Sequence, residues 1–252
     1  MAKELNTKGA MAKATAGTDI VEIKVTVSEK KERAAWVAFG LNQEKCQRRC
    51  IYFFDTPGLE LSGRGVVLRA RKVEKAPDDS TVKFRPVDPL KIAAKWRRAA
   101  GFKIEADGVG ATMTRSASLS AEQNRGEIDE VVCGKRPIEK LFSTDQEAFL
   151  SDMGSGPVVM HGLEIFGPVE AMRWQIKHPG LPYRITIENW FLPDGRDLIE
   201  LSFKAPSSQA AGAAAAFTGF LTELGLKPQT AQRSKTRMVM DYFSKLKLKK
   251  AG

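Results

Sequence analysis

Thr81-Val82-Lys83-Phe84-Arg85 and, shortly before it, Val67-Leu68-Arg69-Ala70-Arg71 organise the rest of the chain. Each alternates, and alternation is the mark of a strand with two unlike faces. One face carries Arg69 and Arg71 in the first run and Lys83 and Arg85 in the second; the other face is apolar or small. The segment between them, Val73 to Ser80, contains Pro77, Asp78 and Asp79, which is turn chemistry. The runs therefore read as a hairpin with four cations on one face. Cations on paired strands repel unless an anion or an acidic group lies over them.

The same alternation recurs outward. Ile20 to Val27 sets Val21, Ile23, Val25 and Val27 against Ile20, Glu22, Lys24 and Thr26. Ser28 suits the N-cap of a helix reaching to about Leu41. Cys50 to Phe54 reads as a strand, with Asp55 as a turn residue before Thr56-Pro57-Gly58. Leu90 to Ala100 suits a short helix, and Phe102 to Asp107 alternates, with Lys103, Glu105 and Asp107 on one face. Gly108 to Ser118 reads as loop and Ser120 as the cap of a turn; Ser143-Thr144-Asp145 opens a helix. Met172–Lys177, Tyr183–Trp190 and Asp197–Lys204 alternate again, the last two joined by the turn Pro193-Asp194-Gly195. Two helices close the chain, Ser207 to Leu224, stopped by Gly225, and Ala231 to Leu246. The expected organisation is a disordered segment to residue 18, one domain over 19–246 with its strands ending near 205 and its helices over 207–246, and a basic tail over 247–252.

A net charge of +10 implies an anionic partner, although Lys3, Lys8, Lys13, Lys245, Lys247, Lys249 and Lys250 place much of the excess at the ends. Three cysteines in 252 residues make no disulfide framework, and Cys46-x3-Cys50 with two histidines in the whole chain makes a poor zinc site. His161 and His178, beside Gly162 and Pro179, read as loop residues. The first residues lack the apolar run of a secretory leader, and no stretch has the ~20 apolar residues of a membrane span. A cytoplasmic protein is expected.

About eight strands repeat one asymmetry, a charged face against a Val, Ile, Leu, Phe, Met or Trp face. An open antiparallel sheet with one wet face accounts for alternation. It does not account for the scarcity of Ser, Thr and Gln on the charged face, nor for carboxylates set among so many cations. A closed or nearly closed antiparallel eight-stranded β-barrel, α+β in class, with helices over its apolar outside and a C-terminal helical pair, accounts for both and encloses room for one small ligand. Its Lys and Arg would bind phosphate oxygens, and its Glu residues a hard divalent cation, Mg2+ or Mn2+.

The order of short motifs resembles the CYTH superfamily of triphosphate tunnel metalloenzymes, which includes class IV adenylyl cyclases, thiamine triphosphatases and inorganic triphosphatases. The resemblance runs from about Ile20 to Tyr242. The opening E-x-E-x-K is matched by Ile20-Val21-Glu22-Ile23-Lys24, a Y-x-D-T-like turn by Tyr52 to Pro57, L-R-x-R by Leu68 to Arg71, and a T-x-K-x-R-like strand by Thr81 to Arg85. The strand of Arg173, the strand–turn–strand Ile185 to Phe203 and Ser234-Lys235-Thr236-Arg237 match the later motifs. Ile20 and Ser202 stand where the pattern has metal-binding carboxylates. The resemblance implies Glu22, Glu188 and Glu200 as catalytic and metal-binding carboxylates. It implies Lys24, Arg69, Arg71, Lys83, Arg85, Arg173, Arg184, Lys204, Lys235 and Arg237 as phosphate ligands. The function implied is metal-dependent hydrolysis of a triphosphate, inorganic, nucleoside or thiamine, with homodimer pairing as in the family. The alternatives are a polyphosphate- or nucleotide-binding protein without catalysis, and a cyclase of the class IV type. Nucleic acid ranks last, because the aromatics fall on apolar faces and do not interleave with the cations as stacking platforms.

Overall fold

In the computed structural model, which describes residues 20–27, 31–109, 112–154, 158–226 and 234–251, the alternating runs form strands. They are β1 (Ile20–Thr26), β2 (Gln47–Asp55), β3 (Val66–Val73), β4 (Asp78–Phe84), β5 (Phe102–Val109), β6 (Thr112–Gln123), β7 (Glu164–His178), β8 (Leu181–Phe191) and β9 (Asp197–Pro206). The helices are α1 (Glu32–Ala38), α2 (Glu60–Gly63), α3 (Ala94–Arg97), α4 (Glu127–Val132), α5 (Thr144–Met153), α6 (Ala210–Glu223) and α7 (Lys235–Ala251). The strand order is β1-β5-β6-β4-β3-β2-β7-β8-β9, and the sheet closes into a barrel.

Two features correct the eight-stranded antiparallel expectation: among the described residues the strands number nine, and the sheet is mixed. The added strand is β6, across residues read as loop and turn. Its faces are Ser116, Ser118 and Ser120 against Ala117, Leu119 and Ala121, and so small a contrast hides the two-residue period. β1 and β5 pair in parallel, with Val21 opposite Ala106 and Glu22 opposite Asp107. Hairpin reasoning pairs only neighbours in sequence, and parallel strands need a long connection. Smaller boundaries move as well. β4 starts at Asp78, inside the segment read as a turn, where Asp78 Oδ1 accepts from the Val73 amide at 2.9 Å. The single helix expected over Leu90–Ala100 is a 3-10 turn at Pro89–Lys91 followed by α3. Helix α1 stops at Ala38, and α7 runs through the basic end to Ala251. The readings of the segment before residue 19, of Ser28 and of Ala231–Arg233 lie outside the described residues.

The chain forms two compact units, with residues 1–47, 105–115 and 171–235 in the first and 48–104, 116–170 and 236–252 in the second. In the first, the apolar face of β1, β8 and β9 (Val21, Ile23, Ile185, Ile187, Leu201, Phe203) packs under Phe217, Phe220 and Leu221 of α6. In the second, Tyr52, Phe54, Leu68, Val82, Phe84 and Leu119 pack under Ile128 and Val131 of α4 and Phe149 of α5. Phe149 meets Phe84, Trp96 and Phe102 edge-on at 5.3, 5.2 and 5.8 Å. Ser143 and Gln146 form a capping box at the start of α5. Covering one face with helices leaves the ionic side chains of each unit on the other, and in a barrel strand the side chains alternate between outside and inside.

Gly65 delivers the chain into β3. Its φ is 76°, its carbonyl accepts from the Arg85 amide at 2.8 Å, and a Cβ there would lie 2.2 Å from the Arg85 carbonyl oxygen. Gly65→Ala should therefore lower stability by about 3 kcal/mol, from positive φ together with the clash. A shift in the urea midpoint at unchanged slope measures this.

Candidate functional site

In the first unit, the parallel pairing puts Glu22 opposite Asp107 and the antiparallel pairing puts it opposite Lys204. Glu22, Glu105 and Asp107 each offer a carboxylate oxygen, all within 4.8 Å of one another. Lys24 Nζ lies 2.9 Å from Glu22 Oε2 and 2.9 Å from Asp107 Oδ1, and Lys204 Nζ lies 3.1 Å from Glu105 Oε1. Burial opposes the charge on Lys24, but Asp107, then Glu22 and Glu200, outweigh it and hold its pKa well above the ordinary lysine value. The acidic cluster is thus partly neutralised by the protein's own ammonium groups. Of the three expected carboxylates, only Glu22 is in it. Asp107 was legible as a neighbour of Glu105 on one strand face; only the β1–β5 register brings both to Glu22.

Glu188 and Glu200 stand opposite each other on β8 and β9. Between them lies Lys235, buried at the start of α7, bonded to Glu188 Oε2 and 3.1 Å from Glu200 Oε1. Its Nζ is 4.5 Å from the centre of the Trp190 ring. Arg173 Nε is 3.9 Å from Glu188 Oε1. Arg184 lines a pocket of about 400 Å3 at the β7–β8 turn with Lys177, His178 and Tyr183. Ser202 is buried opposite Lys24, while Ile20 is exposed at the strand's start.

In the second unit, the hairpin is as read. β3 and β4 are antiparallel, with Arg69 opposite Thr81 and Val67 opposite Lys83. β6 adds Ser120 opposite Thr81 and Ser118 opposite Lys83, so hydroxyls flank the cations. Arg69 donates to Thr81 Oγ1 at 3.2 Å, and Thr81 shares a 3.0 Å bond with Ser120. Arg85 follows the end of β4 on the Lys83 side. At Arg71 an acidic partner lies within the hairpin itself: Arg71 donates from Nε to both Asp79 oxygens at 3.1 and 3.0 Å and from its terminal nitrogen at 2.9 Å. Arg237 pairs with Asp241 one turn along α7 at 2.8 Å. Asp55 is a buried turn residue whose oxygens accept from the amides of Thr56, Leu61 and Ser62.

No protein-family model matches the sequence, and no curated protein does. Solved structures do. A candidate adenylate cyclase from Bacillus halodurans superposes with a TM-score of 0.59 over 86% of this chain and 95% of its own, at 14% identity. The adenylyl cyclase candidate HpAC1 from Hippeastrum, described as having a dominant triphosphatase activity, superposes with a TM-score of 0.61 over 89% of this chain and 96% of its own, also at 14% identity. The likeness to these two structures is one of fold. A closed barrel explains why so many charged strand positions occur in one chain: a closed sheet gives half of its side chains an interior. No helix is long and apolar enough to cross a membrane among the described residues.

Proposed function

We propose that this chain is a phosphohydrolase of the CYTH type that takes a triphosphate, inorganic or organic, and depends on Mg2+ or Mn2+. The observation that carries this reading is the grouping of Glu22, Glu105 and Asp107 on strands of a CYTH-type barrel. A donor set of carboxylate oxygens suits a hard cation, so the residues present fit Mg2+ or Mn2+. Bound there, the ion would neutralise phosphate charge and polarise the transferring group. Arg69, Lys83 and Arg85 are the phosphate ligands of the second unit, with the Thr81 and Ser120 hydroxyls alongside. Arg173 and Arg184 serve the same end in the first. Lys24 and Lys204 balance the acidic cluster until substrate charge arrives, and Arg71 and Arg237 keep their own carboxylate partners. Glu188 accepts from Lys235 and Glu200 is ion-paired with it, so both carboxylates hold that lysine. The three cysteines are free thiols, in keeping with a cytoplasmic setting.

The binding-only reading draws on Ile20 and Ser202, where the family pattern has carboxylates. The two part on turnover. Purified protein is incubated with tripolyphosphate, ATP and thiamine triphosphate, with Mg2+ or Mn2+ and with a chelator. Metal-dependent phosphate release is the expected result; formation of cyclic AMP from ATP would assign the cyclase, and tight binding without turnover the binder. Arg69→Ala should lower kcat/KM about 100-fold, the cost of removing one positioned charge at a phosphoryl group.

A further inference from the structure

Lys235 answers a problem that β8 and β9 create. Their register sets Glu188 directly opposite Glu200, and like charges directly opposite each other on paired strands repel. Glu200 is also buried, and a buried carboxylate needs a cation or a proton. Two facing carboxylates with an open side are, as a donor set, suited to a divalent ion. Here the open side is taken by the Lys235 ammonium, itself 5% exposed, which bonds Glu188, lies 3.1 Å from Glu200 and sits over the Trp190 ring at 4.5 Å. An aromatic face attracts an ammonium and offers nothing to the water shell that Mg2+ retains. The lysine is also carried on the chain, so no free ion competes with it on equal terms.

We propose that Lys235 is a tethered counter-ion that occupies the cation position between Glu188 and Glu200, so that this carboxylate pair takes no divalent ion while the lysine is in place. Among the described residues the chain then has one exchangeable divalent site, at Glu22, Glu105 and Asp107, and the second position is filled from within. The site of that first ion rests on the function proposed above; the exclusion at Glu188 and Glu200 does not.

The test counts ions. Mn2+ is titrated into the full chain and the free ion is followed by its electron paramagnetic resonance signal, for wild type and for Lys235→Met, which keeps the alkyl stem. Lys235→Met is expected to bind one equivalent more than wild type, and adding Glu200→Gln to it should remove that extra ion. Equal stoichiometry in the two proteins overturns the proposal. Glu188→Gln in the wild-type background serves if Lys235→Met does not fold: unchanged Mn2+ stoichiometry supports the proposal, and loss of an ion overturns it. A wild type that binds no Mn2+ removes the first site from the functional reading, and the increment on Lys235→Met still decides the role of the lysine.

Discussion

Lys24→Met is expected to lower folding stability by about 3 kcal/mol, toward the low end of the cost of breaking a buried ion pair. The low end applies because Lys24 and Glu22 each keep 19% of their side-chain exposure, whereas Asp107 is 1% exposed and loses its ammonium outright. The change also has a pH signature. A folded-state pKa raised for Lys24 contributes stability that is fully present below the unfolded lysine pKa of about 10.4 and is lost as pH rises from there through the folded-state pKa. The wild type's margin over Lys24→Met should therefore be smaller at pH 11 than at pH 8. The Cys50 thiol, pushed up to about 11 by burial, and the Tyr52 hydroxyl, pushed up by burial, act with the same sign in both proteins and cancel in the difference. Chemical denaturation at pH 8 and at pH 11 measures it; a pH-independent difference would remove Lys24 as the counter-charge of Asp107. Because the methionine leaves three neighbouring carboxylates under-neutralised, millimolar Mn2+ should restore part of the loss by mass action.

Gln146→Leu should cost about as much, near 3 kcal/mol, without touching any charged group. Gln146 is fully buried. Its Oε1 accepts from the Ser143 amide at 3.0 Å and from Ser80 Oγ at 2.9 Å, and its Nε2 donates to the carbonyls of Ser80 and Leu119 at 3.2 and 3.0 Å. One side chain thus caps α5 and fastens it to β4 and β6. Leucine keeps the volume but strands these polar partners in a dry setting, at about 1–3 kcal/mol for each group left unsatisfied. Ser143→Ala removes only the cap bond and should cost about 1 kcal/mol. Urea unfolding of the two variants separates them; equal losses would mean that the cap alone holds α5.

Ionic faces were readable along the chain because a strand's side chains alternate every two residues, a period that a run such as Leu68-Arg69-Ala70-Arg71 displays by itself. The hairpin of β3 and β4, the helix opened by Ser143 and the role of Asp55 in its turn were legible for the same reason: each is decided within a few neighbours. β6 was not, because Ser against Ala carries little contrast. Nor was the split of the carboxylates into two groups. Glu22 with Glu105 and Asp107 depends on a parallel register between strands some eighty residues apart. Glu188 with Glu200 and Lys235 depends on where α7 begins its packing. The residue types and their faces were set by local sequence, since steric and hydrophobic patterning acts over one or two turns of chain. The pairing of cation with carboxylate was set by the tertiary structure alone, because Coulomb and hydrogen-bond energies depend on distances that exist only once the strands are side by side.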